Sequence, residues 1–501
     1  MGISFAANLN AAEKKPNILF ITIDDLKPDL GCYGDQLAIT PNIDKLASRG
    51  TIFLNNQCQQ AVCAPSRISM FTGLRPDSTK VWDLKTNMRD VCPNAVTMPE
   101  FFSKHNYETT GLGKLMHGAK NGDQQSWTIP CKEDSELKYA TKYGYPAGGN
   151  YLSEISKKTN DEIKGRKMNW REKKEYMREK GAAPPFEFLD LPDSAYADGA
   201  IADEGMILLE KFANSAKPFF LALGFHKPHL PFVAPKKYWN LYKHDDFHLA
   251  AFQKHAEGSP DFAYHTWGEL RHYSEIPKKG PLDKDKQREL IHAYYACISY
   301  VDAQVGRVIA KLDQLGLAKN TIIVLWGDHG WHLGDHGLWC KHSNFEQATH
   351  APLIIIAPGY KGDQRTDSPT EFVDVFPTLC QLTKLNTPKQ LEGESLVPIL
   401  KDPKKMTKKF AMSQFPRGNK MGYAMRTKRF RYIQWFLWNK KRGVTNYTPI
   451  AVELYDYEKD PLEKINKADN IEYKEEVKKL AKMMQDFLRK KTITPENLNE
   501  K

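Results

Sequence analysis

The residues best equipped for chemistry lie in the stretch Val62-Cys63-Ala64-Pro65-Ser66-Arg67-Ile68-Ser69-Met70-Phe71-Thr72-Gly73-Leu74-Arg75. A cysteine precedes a proline, an arginine follows four residues after the cysteine, and a short apolar-periodic run ends near Gly73. The pattern predicts a loop that enters a helix at Pro65, because proline suits the first helical position, where its missing N–H is not needed. Such an entry presents free backbone N–H groups and the positive end of the helix dipole beside Cys63. Arg67, one turn in, can turn its guanidinium to the same spot, which makes a nucleophile in an anion site. Taken alone, a cysteine is more often a small buried apolar residue.

Three further clusters stand where strands should end. Asn17 to Ile23 is a continuous apolar, β-branched run that predicts a strand buried on both faces, and it stops at Asp24-Asp25. Ligands in open α/β sheets collect beyond the carboxyl ends of strands, and adjacent carboxylates there can bind a hard divalent cation, although a solvated turn has the same composition. Pro218 to Gly224 predicts a second strand and delivers His226-Lys227-Pro228-His229-Leu230-Pro231. Thr321 to Gly327 predicts a third, followed by Asp328-His329-Gly330-Trp331 and, further on, Lys341. Histidines 329, 332, 336, 342 and 350 would by themselves suggest a transition-metal site. Lys114 and His117, three apart between glycines, can face one pocket.

Cys-Ala-Pro-Ser-Arg followed by Met-Phe-Thr-Gly-Leu-Arg-Pro resembles the signature of the type I sulfatases, in which the cysteine is oxidised after translation to Cα-formylglycine. The resemblance implies a hydrated aldehyde, one hydroxyl of which attacks sulfur while the other later expels sulfate. It implies a pocket in which Asp24, Asp25, Cys63, Asp328 and His329 surround a calcium ion, with magnesium as the alternative, if the strands before Asp24 and Asp328 are neighbours. Arg67, Lys114 and Lys341 would hold the sulfate ester. His229, in a Pro-His-x-Pro frame, would bind sulfate and the leaving oxygen, and His117 would contact the formylglycine; His226 and Trp331 would line the substrate side. Most sulfatases carry asparagine where His329 stands. Asp-His here, with Gly-Lys-x-x-His at 113–117 and Lys341-His342-Ser343-Asn344-Phe345, is similar to the iduronate-2-sulfatase branch. Imidazole is a poor calcium ligand, so His329 either ligates weakly or serves the nucleophile.

The elements that must position these groups follow in order. Thr40 to Ala47 predicts a capped amphipathic helix, residues 120–192 read as excursions from the core that rim the site, and a helix is expected from about Ser194 to Lys211. Apolar positions between Asp283 and Leu317 recur at helical spacing and predict a long packing helix ended by Gly316. Thr370 to Leu379 predicts a helix closing the main domain. Beyond residue 400 the segments 421–427, 430–435 and 451–456 look strand-like, and Lys474 to Leu488 reads as an amphipathic helix. The expected architecture is α/β: an alkaline-phosphatase-like large mixed sheet flanked by helices, with a smaller C-terminal antiparallel sheet plus helix. The domains are a leader or signal remnant at 1–15, a catalytic domain at 16–400 and a C-terminal subdomain at 401–501.

Composition bounds the partners. With 501 residues, 41% hydrophobic and 27% charged, the chain can bury a large core. Its net charge of +11 is scattered, without a basic block or nucleic-acid motif, so a sulfated, polyanionic glycan fits better than DNA, while a merely soluble surface reads equally well. Eight cysteines without CxxC spacing argue against a disulfide-dense scaffold or structural zinc. No apolar run spans a bilayer, and the small-residue-rich opening suggests the end of a secretory signal, hence a periplasmic or secreted protein. The resemblance adds a maturation enzyme, either formylglycine-generating or anaerobic sulfatase-maturating. Two other readings stay open: a phosphate or phosphonate monoester hydrolase of the same superfamily, and a non-catalytic glycan-binding protein in which Cys63 is never converted.

Overall fold

In the computed structural model, which describes residues 15–117, 123–146 and 148–490, the chain is built around a seven-stranded mixed sheet. Its strands in chain order are β1 (Asn17–Ile23), β2 (Thr51–Phe53), β3 (Glu108–Gly113), β4 (Phe219–Phe225), β5 (Thr321–Gly327), β6 (Leu353–Ile356) and β7 (Gln364–Thr366), and across the sheet they run β7-β2-β6-β5-β1-β4-β3. β1 lies at the centre, parallel to β4 on one side and to β5 on the other, with Ile23 opposite Phe225 and Gly327. The carboxyl ends of all three therefore finish at one level. All seven residues of β1, β4 and β5 are buried, as expected of strands covered on both faces.

The helices that do the covering, with those of the inserted region, are α1 (Pro41–Ala47), α2 (Cys63–Thr72), α3 (Glu154–Ile163), α4 (Trp170–Glu179), α5 (Ala197–Ala213) and α6 (Lys284–Gln314). Leu19, Ile21, Leu223 and Leu325 pack on one face with Ile201 of α5 and Val301 and Val305 of α6. Phe20, Phe220 and Trp326 pack on the other with Met70 and Phe71 of α2 and Phe376 and Leu379 beyond it. Alternation along each strand sorts the side chains to the two layers. The long helix ends where Gly316 takes a left-handed φ of 69°.

Two boundaries differ from expectation. α2 begins at Cys63 rather than Pro65, because Val62 holds the extended N-cap conformation; Pro65 is tolerated inside the first turn, whose N–H groups lack intrahelical partners. The segment from Thr370 opens as a short strand and a 3₁₀ turn, and its helix starts only at Val375.

The C-terminal region forms a five-stranded sheet of β8 (Ala411–Arg417), β9 (Lys420–Arg426), β10 (Phe430–Asn439), β11 (Gly443–Val444) and β12 (Ala451–Asp456), all antiparallel, with α7 (Lys474–Lys490) packed through Leu480, Met484 and Leu488. It grips the loop after Lys341: Arg431 Nη1 donates to the Asn344 carbonyl at 2.9 Å and the guanidinium pairs with Glu346 and Glu463. Except for Lys15, the segment expected to be a leader lies outside the described residues. Among the described residues no helix is long and apolar enough to cross a membrane.

Candidate active site

The three parallel strand ends meet the N-terminus of α2. Asp24 and Asp25 follow β1 directly, and Asp25 adopts a left-handed φ of 57°, a conformation that aspartate tolerates; this turns both carboxylates into the same space. The turn is fastened by Tyr294 of α6, whose hydroxyl donates to the Asp25 carbonyl at 2.7 Å and accepts from the Lys27 N–H at 3.0 Å. Asp328 follows β5, and its Oδ1 accepts from the Asp25 N–H at 2.9 Å. Lys114 follows β3, and its N–H bonds the Gly224 carbonyl of β4 at 3.0 Å. A Cβ at Gly224 would lie 2.1 Å from the Lys114 carbonyl oxygen, so only glycine permits this approach.

Asp24, Asp25, Asp328 and Arg67 are all fully buried. The Arg67 guanidinium donates from Nη2 to Asp24 at 2.9 Å, from Nε to Asp328 at 2.8 Å and from Nη1 to the carbonyls of Lys114 and Leu115 at 2.6 and 3.0 Å. Four of the five Arg67 N–H groups are thus engaged by the two carboxylates and the Lys114 and Leu115 carbonyls, which gives the side chain a positioning role. Lys114 Nζ pairs with Asp24 and lies 3.5 Å from Cys63 Sγ. Lys341 Nζ sits 2.9 Å from both oxygens of Asp25. His329 Nε2 stands 3.5 Å from Cys63 Sγ and 3.3 Å from Asp25 Oδ1.

Charge is unevenly shared. Burial alone would raise the Asp24 carboxyl, but Lys114 and Arg67 hold it well below the usual range. Burial pushes Asp25 well above that range despite Lys341, and its carboxylate neighbours add to the rise. Burial, then Asp24, lifts the Cys63 thiol well above its ordinary value, so the unmodified sulfur is a protonated, poor nucleophile.

The donor set fits a divalent cation. Potential ligand atoms of Asp25, Cys63, Asp328 and His329 lie within 4.8 Å of one another, and those of Asp24, Asp25, Cys63 and His229 do likewise. Two of the four groups in each cluster are carboxylates, whose oxygens suit a hard ion. His329 Nδ1 bonds the Gly330 carbonyl at 2.9 Å, so the neutral ring donates there and turns a bare Nε2 lone pair toward the cluster.

The remaining histidines divide between two cavities. Lys114, His117 and His226 line one of about 240 Å³ together with Asp134 and Tyr145. Burial, then the Lys114 ammonium, lowers His117 to about 4, so its ring is neutral at neutral pH, and its buried Nδ1 has no hydrogen-bond partner among the described residues. His226 Nε2 is held 3.0 Å from Asp134, which raises its pKa against the opposing effect of burial. His229 Nδ1 bonds the Leu230 carbonyl, leaving Nε2 facing Asp24 and Asp25 at 4.0 and 3.8 Å. Burial, then Lys341 and Lys114, sets its pKa well below the ordinary value.

One expected substrate contact is corrected. Trp331 is 1% exposed and packs against Phe232 and Tyr294, with Lys341 Nζ 4.9 Å from the centre of its ring, so it lies buried beneath the lysine. Sequence reasoning missed Glu269, whose Oε1 is 3.1 Å from Lys341 Nζ and 3.3 Å from His229 Nε2. Burial opposes its ionisation, but Lys341 and His229 bring it down to about 2. Its segment, a 3₁₀ turn among irregular residues, carries no periodic signal.

Known proteins share this organisation. The sulfatase family model matches residues 16–385, and the model for the C-terminal part of N-sulphoglucosamine sulphohydrolase matches residues 334–491. Iduronate 2-sulfatase of Homo sapiens is 34% identical over 91% of this chain and 92% of its own. A protein solved in complex with its substrate D-glucosamine-2-N,6-O-disulfate superposes with a TM-score of 0.71 at 22% identity, covering 96% of this chain and 99% of that one. A phosphonate monoester hydrolase from Silicibacter pomeroyi does so at 0.70 and 19% identity, covering 95% and 96%; both likenesses concern the fold. On its family-model match and its identity to the human iduronate 2-sulfatase, the chain belongs to the sulfatases, hydrolases of sulfuric esters.

Proposed function

We propose that the chain is an exported sulfatase that removes sulfate from a sulfated sugar, a 2-O-sulfated uronate or a related residue of an anionic polysaccharide, using a Cα-formylglycine made from Cys63 and a divalent cation, calcium or in its place magnesium. The observation that carries this reading is the convergence of three buried carboxylates and three fixed cationic side chains on Cys63 at the start of α2. The sugar class is supported by the relative named iduronate 2-sulfatase, aligned over 91% of this chain. A separate maturation enzyme would convert Cys63. A catalytic domain at 16–400 and a C-terminal subdomain at 401–501 remain the proposed division; the start of the smaller sheet at Ala411 supports it, and the second family model, which runs across the boundary, does not.

Asp24, Asp25, Asp328 and His329 would hold the cation, with the side chain at position 63 as a further ligand. When bound, the ion neutralises sulfate oxygens and favours an ionised hydroxyl. The hydrated aldehyde supplies the nucleophilic oxygen. Lys114 and Lys341 draw the sulfate in and stabilise the charge that develops on it. Arg67 fixes Asp24 and Asp328. His229 would deliver a proton to the departing sugar oxygen from Nε2 once a bound sulfate favours the doubly protonated ring, since in the neutral ring the one proton is on Nδ1 and held by the Leu230 carbonyl, and His117, neutral and with no bond at Nδ1 among the described residues, takes a proton from the residue at position 63; such help is worth about 10²–10⁴ in rate.

Peptide mass spectrometry across Cys63, on protein made with and without a maturation enzyme, tests the reading alongside paired sulfatase and phosphatase assays. A loss of about 18 mass units that tracks with sulfate release is expected. An unmodified thiol in active protein, or phosphate release exceeding sulfate release, would overturn it.

A further inference from the structure

A second cavity, of about 540 Å³, is bounded by the inserted helices α3 and α4 and by the turn that follows Glu269; its lining includes Lys164, Trp170, Lys173, Lys174, His229 and His272. His229 lines this cavity and also faces the carboxylate centre, so the two adjoin at that residue. The volume is that of a small-molecule site.

Its lining holds three lysines and no carboxylate. Lys164 is already paired with Asp161 at 2.6 Å, whereas among the described residues no carboxylate lies within salt-bridge distance of Lys173 or Lys174. Trp170 is 64% exposed, a large apolar surface to leave in water. Lys174 Nζ lies 4.3 Å from the centre of its ring, and His272 stands edge-on at 6.0 Å. Burial also presses Lys174 below the ordinary lysine value, a cost that a bound anion would offset. A flat apolar ring with one ammonium group beside it and a second in the same lining, neither ion-paired among the described residues, matches a ligand with one apolar face and one anionic edge. A pyranose bearing a carboxylate has that form.

We propose that this cavity is the subsite for the leaving sugar, that Trp170 stacks on the C–H face of that ring, and that Lys173 and Lys174 select a carboxylate-bearing residue over a neutral one. The assignment rests on the sulfatase reading above for the direction of departure, but its test needs no turnover. The probes are an unsulfated disaccharide of hexuronic acid and N-acetylhexosamine and its carboxyl-reduced counterpart, titrated calorimetrically into Cys63→Ala protein. The acidic disaccharide should bind about 10- to 100-fold more tightly than the neutral one, as charge-assisted hydrogen bonds predict. Lys173→Gln with Lys174→Gln should erase that preference, and Trp170→Ala should weaken both ligands. Each variant is compared with itself across the two ligands, so a general loss of stability does not mimic the result. Equal binding of the two disaccharides, binding of neither, or a preference that survives in the double glutamine variant would overturn the subsite. Absence of sulfate release by the matured wild type would instead sink the proposed function and leave this binding result standing.

Discussion

Arg67 offers the sharpest quantitative test. It is fully buried and ties together two carboxylates from different strands and two carbonyls of the Lys114 loop. Methionine at this position has similar reach but no charge, and would leave Asp328 without its only ion-pair partner among the lysines and arginines described, while Asp24 keeps Lys114. Removing one member of a buried ion pair costs about 3–5 kcal/mol, and each orphaned carbonyl adds about 1 kcal/mol, so Arg67→Met should lower the unfolding free energy by about 5 kcal/mol. Lysine keeps the charge but has one donor head instead of a planar fork, and should lose about half as much. Urea unfolding followed by both tryptophan fluorescence and circular dichroism measures the change and checks that a single transition is being read. Adding Asp24→Asn and Asp328→Asn to the methionine variant should recover most of the loss, because the stranded charges are then gone. An Arg67→Met midpoint equal to the wild type would refute the argument and mean that packing alone holds the three strand ends.

Four other outcomes are expected. Glu269 titrates at about 2 in the folded chain, below its unfolded value, so it contributes stability at neutral pH that is lost as pH falls from the unfolded range toward 2; Glu269→Gln should be less stable than wild type by about 3 kcal/mol at pH 7, and the gap should shrink by about half at pH 3. Gly224→Ala must displace the Lys114 backbone, which should lower sulfate release and cost about 1–3 kcal/mol in the same unfolding assay. Asp24→Ala should abolish the rise in melting temperature that calcium gives the wild type, together with turnover. Cys63→Ser should abolish turnover while leaving the circular dichroism spectrum and melting temperature unchanged.

What could be read beforehand followed from burial on both faces. The runs ending at Ile23, Gly224 and Gly327 are largely apolar, so their strand character and the place of Asp24, Asp25 and Asp328 at strand ends were visible. The register that levels their ends was not, because it is set by packing between distant segments. Trp331 looks the same in sequence whether it faces a ligand or lies under Lys341. Arg67 likewise gives no hint that its donors are spent inward. β8 escaped notice because Pro416 interrupts its pattern; it lies at an edge, where a missing N–H costs nothing. Glu269 reaches the site on a turn whose position depends wholly on the surrounding fold.

The distribution of cysteines has a practical consequence. All eight are buried, and Cys32, Cys58, Cys63, Cys92, Cys297, Cys340 and Cys380 carry free thiols, so the fold around them owes nothing to cross-links formed through those positions. Every cysteine precedes residue 381, and the C-terminal sheet has none. Pulse alkylation with a maleimide would therefore report opening of the chain before residue 381. Amide hydrogen exchange of the strands Lys420–Arg426 and Phe430–Asn439 follows the other part. If the smaller sheet detaches first, its amides exchange while the thiols stay shielded; if the two open together, alkylation and exchange advance in step.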